Sequence, residues 1–303
     1  MKLPGSVKIR EVGPRDGFQS LKRLLPVAEK VEIIEALIAA GVPEVEATSF
    51  ASVKALPQFQ DAEQVLTRVS GKNTLLSAMV FNEKGARRAL SAGAGRLVTV
   101  VSATDAHSRA NMKCGIDAAL KNLDAIFQAA REHHAPVTGA VAVAFGCPFQ
   151  GDVPETEVFR VVRALVSKGA DAVILADTVG TAVPNLVENR VKAFRERFFE
   201  TELILHFHNN RGTAMANLFA ALLSGATVFD TALGGLGGCP YVPRAAGNIP
   251  TEDAVYMLEE MGVKTGIDLE ALIATARRLE SIVGHPLPGQ VMKSGPRMLG
   301  LRL

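Results

Sequence analysis

The stretch "ALVSKGADAVILADT", residues 164–178, decides the architecture. It opens as the end of an amphipathic helix and sets Gly169 where a helix takes its left-handed cap. It then passes at once into the apolar run Ala172–Asp177, the reading of a buried strand. The same helix–glycine–strand punctuation recurs in "AAGV" (39–42), "SAGA" (91–94) and "LSGA" (223–226).

Working outward, eight strand candidates emerge: Val7–Val12, Glu44–Ser49, Thr74–Phe81, Arg96–Ser102, Val137–Phe145, Ala172–Asp177, Leu203–His208 and Val228–Leu233. Helical patterns lie near 27–40, 58–69, 83–93, 117–132, 155–168, 184–199, 213–224 and 251–261. Alternating β and α units predict parallel strands. A doubly wound sheet and a (β/α)8 TIM barrel both meet that pattern. Eight evenly spaced units, with no run that reads as an edge strand, select the barrel. The expectation is one α/β domain over residues 1–303, with the barrel over about 7–262 and a C-terminal helical extension over about 263–303.

A chain of 303 residues can bury enough surface to fold without a metal or disulfide staple. The net charge is +2 with both signs scattered, so no nucleic-acid partner is expected. Cys114, Cys147 and Cys239 are three in number and lack CxxC spacing, which fits a reducing compartment. No run of eighteen apolar residues predicts a transmembrane helix. "MKLPGSVKIREV" leads almost directly into a strand, so no signal or transit peptide is expected and the localisation reading is cytoplasmic.

Barrels of this kind carry their chemistry where strands end. In "LILHFHNNRG" (203–212), His206 and His208 stand two apart and face the same way, with Ile204 below them. Such a pair either binds one divalent metal or forms two hydrogen-bonded polar groups near the surface. Asp16, Glu46 and Asp177 also sit at strand ends, where each serves as an oxygen ligand or as a helix cap or solvated acid. Oxygen ligands beside two imidazoles favour Mg²⁺ or Mn²⁺. "EVGPRDGFQS" (11–20) reads as a strand end and a tight turn that puts Arg15 next to Asp16. "GGLGGCPYVPRAAGN" (234–248) is a long shaped loop without a dinucleotide fingerprint. Its Cys239 is open to four roles: nucleophile, ligand, proton donor or apolar filler. Asn248 reads as a loop amide ahead of a helix capped by Thr251. His133 and His134 end a helix, and His107 and His285 read as loop residues.

Taken together, "EVGPRDGFQ", "VEATSF", "LADTVG", "HFHNNRG", "GLGGCPY" and "AAGNIPTEDAVYMLEEMGV" resemble the 3-hydroxy-3-methylglutaryl-CoA lyase family. That family belongs to the metallolyase TIM barrels, which also include the isopropylmalate synthases. The likeness runs in order over about residues 7–266, and "GLGGCPY" points to the lyase branch. It implies a retro-Claisen cleavage of a 3-hydroxyacyl-CoA into acetyl-CoA and a keto acid, in a protein that forms a homodimer. By matching position it implies Asp16, His206, His208 and Asn248 as metal ligands and Arg15 on the thioester oxygen. Glu46 and Asp177 belong to the surrounding polar shell, and Cys239 is the acid that protonates the departing enolate. For CoA, the stretch "SATDAHSRANMKCG" (102–115) reads as a loop with a helix start. It offers Ser108, Arg109, Asn111 and Lys113, and Lys22 is a further candidate.

The chemistry agrees with that assignment. Scission beside a tertiary alcohol needs the hydroxyl deprotonated, which a divalent ion promotes. The electron pair then moves onto the thioester, where a guanidinium stabilises charge that exists only late in the reaction. Several positions depart from the family pattern. Asn209 replaces an acid, Arg211 an aromatic, Ala176 a glycine and Ala246 a serine, while Arg244 is an added cation. Arg211 or Arg244 on a substrate carboxylate would admit another 3-hydroxy diacid ester such as citramalyl-CoA. A Claisen-type synthase or aldolase, and a non-catalytic barrel, are the competing classes.

Overall fold

Gly41, Gly93, Gly169 and Gly225 adopt φ of 88°, 99°, 97° and 89°, each turning the end of a helix toward the next strand. A residue with a Cβ takes this conformation only under strain. The computed structural model describes residues 3–69, 74–238 and 246–297, so Cys239 and Arg244 lie outside the described residues.

Eight strands form a closed barrel in chain order: β1 (Lys8–Glu11), β2 (Glu44–Ser49), β3 (Leu75–Met79), β4 (Arg96–Ser102), β5 (Val137–Ala142), β6 (Ala172–Asp177), β7 (Glu202–Phe207) and β8 (Val228–Thr231). Every neighbouring pair is parallel, and β1 closes on β8. β2, β4 and β6 have the bounds expected from sequence, and β7 is displaced by one residue. β5 stops three residues early because Val143 takes φ 54° and donates its N–H to Thr178 Oγ1 at 2.8 Å. β8 stops at Thr231 because Leu233–Gly235 wind into a 3-10 turn. The N–H groups of that turn go to carboxylates: Leu233 to Glu11 (2.9 Å) and Gly234 to Glu252 (3.0 Å).

Around the barrel run α1 (Val27–Ala39), α2 (Ala62–Val69), α3 (Glu83–Ser91), α4 (Asp105–Met112), α5 (Ile116–Asn122), α6 (Asp124–Glu132), α7 (Glu155–Ser167), α8 (Pro184–Arg197), α9 (Ala214–Leu223) and α10 (Thr251–Glu260). α11 (Leu269–Val283) and α12 (Val291–Ser294) follow, and α11 packs on α1 and on the turn after β8. Three expectations need correction here. The single helix over 117–132 is two segments that meet at Leu123, which keeps right-handed angles. The stretch 102–115 is largely the helix α4, because Thr104 Oγ1 caps it by accepting from His107 N and Asp105 lies in its first turn. His107 is therefore a buried helical residue hydrogen-bonded to Ser102 Oγ (2.7 Å), not a loop residue. Thr251 does not cap α10. It is the helix's first residue, and its hydroxyl lies between Glu11 and Thr231 Oγ1.

The apolar faces of the helices pack on the outer side of the sheet, with Ile33, Ile34 and Leu37 of α1 essentially fully buried. Each such side chain contributes roughly 1.5–3 kcal/mol. Inside the barrel, Met79, Val98, Ala140, Ala172, Ile174, Ile204 and Val228 form a second apolar cluster. β1, β2 and β8 instead send charges inward. Arg10 is in register with Glu44 on one side and Asp230 on the other, and Asp230 is in register with His206. Among the described residues, no helix is long and apolar enough to cross a membrane.

Candidate active site

The rim of the barrel is built first by "GPRDG". Gly13–Gly17 form one π-helical turn rather than a tight turn. Neither glycine is needed for a left-handed angle; both make room. A Cβ on Gly13 would lie 2.5 Å from Glu11 Oε1, and one on Gly17 would lie 3.1 Å from the Leu236 side chain. The turn projects Arg15 and Asp16 over the end of β1. Arg15 Nε and Nη2 donate to the two oxygens of Glu46 at 2.7 and 3.3 Å, and Nη1 donates to Asp16 Oδ1 at 2.6 Å. This is a forked grip on two edges of a planar cation. Burial works against its charge, but Glu46 and then Asp16 raise the Arg15 pKa above its ordinary value.

Asp16 has a second set of neighbours. Its Oδ2 accepts from Asn248 Nδ2 at 2.8 Å and lies 3.6 Å from His208 Nε2. Asn248 reaches this point because its backbone pairs with that of His208 across the barrel mouth. The His206 and His208 rings are 5.1 Å apart between centroids. One donor atom from each of Asp16, His206 and His208 falls within 4.8 Å of the others. Burial alone would raise the Asp16 carboxyl, but Arg15, His208 and His206 hold it well below the ordinary carboxylate range. For His206, burial lowers the pKa, yet its hydrogen bond to Asp230 and the charge of Asp16 leave it raised.

A divalent metal fits these residues. Among the described residues, Asn248 Oδ1 and His208 Nδ1 are buried without a hydrogen-bond partner, an arrangement that costs free energy unless something engages them. A carboxylate, two imidazoles and an amide oxygen together suit a hard to borderline divalent cation.

Asp177 is placed differently. It is fully buried, and its two oxygens accept from the Thr181 and Ala182 N–H groups at 2.8 and 3.1 Å. It closes its own turn, and burial raises its pKa despite those bonds. Arg211 donates to the Val179 and Gly180 carbonyls at 2.8 and 2.9 Å, which ties it to the loop after β6. Asn209 Oδ1 accepts from Ala214 N at the start of α9.

Above the cluster opens a cavity of about 640 Å³. Arg15, Asp16, His206 and His208 line its polar side, while Met79, Val100, Ala140 and Ile174 line its apolar wall. Arg15 is the only Arg or Lys on that lining among the described residues. Of the residues read from sequence as CoA contacts, Asn111 lines the cavity. Ser108 is buried and donates to the Cys114 carbonyl at 2.8 Å. Arg109 pairs with Asp105 at 2.9 Å, Lys113 Nζ donates to the Ala110 carbonyl at 2.8 Å, and Lys22 is exposed. Gly238, which precedes Cys239, also lines the cavity.

Sequence reasoning missed Asp230, which lines the cavity floor and lies 3.2 Å from His206 Nδ1. The residue itself was visible: an acid between Phe229 and Thr231 in a strand buried along its whole length.

Comparison with known proteins adds to this geometry. The family model described as HMGL-like matches residues 6–279. A mitochondrial hydroxymethylglutaryl-CoA lyase of Arabidopsis thaliana is 41% identical over 288 residues, which cover 94% of this chain and 61% of that protein. The chain thus spans about three fifths of that relative's length. An (R)-citramalyl-CoA lyase of Chloroflexus aurantiacus is 39% identical, covering 96% of this chain and 95% of its own. A solved HMG-CoA lyase of Acinetobacter baumannii, in complex with coenzyme A and 3-methylmalate, superposes with a TM-score of 0.94 at 39% identity. That match covers 99% of this chain and 98% of the other.

Proposed function

The chain belongs to the HMGL-like family, a carbon–carbon lyase family, and we propose that it cleaves 3-hydroxy-3-methylglutaryl-CoA to acetyl-CoA and acetoacetate. The observation that carries this reading is the meeting of Asp16, His206 and His208 donor atoms within 4.8 Å, directly beside a guanidinium held on two edges.

Asp16, His206, His208 and Asn248 would hold Mg²⁺ or Mn²⁺, which when bound supplies a Lewis acid that lowers the pKa of a substrate hydroxyl. The remaining work falls to the chain's own side chains. Glu46 and Asp16 fix the Arg15 plane before substrate arrives, so its free edge meets the thioester oxygen without reorganisation. Charge grows on that oxygen as the C–C bond breaks, so this contact strengthens late and favours turnover over simple affinity. Cys239 is assigned as the proton donor to the enolate carbon, supported by its neighbour in sequence, Gly238, which lines the cavity, and by the mostly protonated state of an ordinary thiol at neutral pH. The apolar wall of Met79, Val100, Ala140 and Ile174 receives the methyl-bearing side of the substrate and excludes water. Asn111 is the best-placed CoA contact of those read from sequence. A homodimer in the cytoplasm completes the reading.

The test is incubation of the Mn²⁺- or Mg²⁺-loaded protein with 3-hydroxy-3-methylglutaryl-CoA and with citramalyl-CoA, followed by mass analysis. Acetyl-CoA with acetoacetate is the expected outcome. Acetyl-CoA with pyruvate, from citramalyl-CoA alone, would move the substrate to the shorter diacid and bring Arg244 forward as its selector. No cleavage of either ester by metal-loaded protein would overturn the reading.

A further inference from the structure

Beneath the rim lies a line of charges that the reaction as described does not use. Arg10, Glu44 and Asp230 have side chains only 1%, 0% and 2% exposed. They occupy one layer of the barrel interior, because Glu44, Arg10, Asp230 and His206 are successive register partners across β2, β1, β8 and β7. Glu44 Oε2 takes Lys8 Nζ at 2.6 Å and Arg96 Nη1 at 3.2 Å. Glu44 Oε1 accepts from Arg10 Nε at 2.9 Å, and Arg10 Nη1 donates to Asp230 Oδ1 at 2.6 Å. The second oxygen of Asp230 lies 3.2 Å from His206 Nδ1.

We propose that Asp230 is a positioning residue for the metal-binding imidazole of His206, and that Arg10, anchored on Glu44, is what keeps Asp230 aimed. The inference rests on the metal reading of the rim. A carboxylate only accepts hydrogen bonds, so the nitrogen facing Asp230 carries the hydrogen and Nε2 keeps the lone pair for a cation. Arg10 occupies the other oxygen with a short charge-assisted bond, which stops the carboxylate from rotating off the ring. A layer that only filled the barrel would be served by the Val, Ile and Leu side chains usual there. Here the line of partners runs from Lys8 and Arg96 through Glu44 and Arg10 to one edge of a rim imidazole.

Metal affinity separates positioning from filling. Mn²⁺ dissociation constants, read by electron paramagnetic resonance, are compared for the wild type, Asp230→Asn, Arg10→Met and the double variant. In Asp230→Asn the amide must offer its NH₂ either to Arg10 or to His206 Nδ1, so one of the two bonds is lost or the tautomer flips. Mn²⁺ binding is expected to weaken about 10–100-fold. In the double variant no guanidinium competes, the amide oxygen can face Nδ1–H, and most of that loss is recovered. A folded Asp230→Asn that binds Mn²⁺ within about twofold of the wild type overturns the proposal, as does a double variant no better than Asp230→Asn. Should Asp230→Asn not fold, a long-range ¹H–¹⁵N spectrum of the metal-free wild type decides. An Nδ1–H tautomer of neutral His206 supports the proposal, and an Nε2–H tautomer overturns it. A wild type that binds no Mn²⁺ at all would instead sink the metal reading, and the positioning role with it.

Discussion

The barrel holds two arginines of nearly the same design. Arg15 sits between Glu46 and Asp16 at the rim, and Arg10 sits between Glu44 and Asp230 one layer below. Each gives Nε to an acid on β2 and Nη1 to a second acid. The difference lies in what the remaining edge meets. Arg15 faces a cavity of about 640 Å³, whereas Arg10 is sealed and its Nη2 has no hydrogen-bond partner among the described residues. The same ion triad therefore serves two ends. Open to a cavity it can act on a ligand; closed off, it can act only on the protein around it.

Metal removal should give the largest contrast. Dialysis against a chelator is expected to take turnover to background, with restoration by added Mn²⁺, while melting shifts only by the mass-action term of a lost ligand. Persistent turnover in the chelated protein, measured as acetyl-CoA release, would break the assignment of the rim. Next comes the same substitution in both triads. If Arg15 meets the thioester oxygen as proposed, Arg15→Met should lower kcat about 10²–10³-fold, with a smaller effect on KM, because such a contact strengthens late in the reaction. Arg10→Met should lower the unfolding free energy by about 3–5 kcal/mol, since it leaves Asp230 buried without its main counter-charge. Denaturant titration of both variants tests the pair. Arg15→Met also strips the buried Glu46 of its partner, but it should lose less stability, because water in the cavity can resolvate Asp16. Equal losses would mean that rim and interior layer are not different environments.

The smallest effect concerns the acids that hold the loop after β8. Burial pushes Glu11 up to about 7 and Glu252 up to about 8. A carboxyl raised in the folded state binds its proton more tightly there than in the unfolded chain. Its contribution is thus full below the unfolded value of about 4.5 and is lost as pH rises through 7 to 8. The melting temperature is expected to fall from pH 5 to pH 9, and Glu252→Gln should flatten that slope by on the order of 1–3 kcal/mol. Glu44 has the opposite sign. Burial raises it, but Arg10, Arg96 and Lys8 outweigh burial and lower it. Its contribution is present above about 4.5 and lost as pH falls below that value. A melting profile that rises between pH 5 and pH 9 would contradict the sign for Glu11 and Glu252.

Much of this was legible in the chain. The glycine caps and apolar runs are local signals, and local signals carry the alternation that fixes a barrel. The i, i+2 spacing of His206 and His208 on one strand also placed them on one face. The interior layer was not legible, because its meaning lies in pairs far apart in sequence. Arg10 and Asp230 are 220 residues apart, and nothing near either one names the other. α4 escaped because a short, polar stretch has little apolar periodicity, and its start depends on a single hydroxyl cap at Thr104. Thr251 resembled such a cap, but the folded chain spends its hydroxyl on Glu11 instead.

Closure of the cylinder joins the first strand of the chain to the last, through the Arg10–Asp230 register pair. Downstream of that last strand, Asn248 pairs with His208 and reaches Asp16. Assembly of the rim around Asp16 and the two histidines therefore waits on closure of the barrel, which a nascent chain cannot reach until β8 has docked. A fragment that ends short of residue 228 would possess the two histidines and the rim arginine and still have no working mouth.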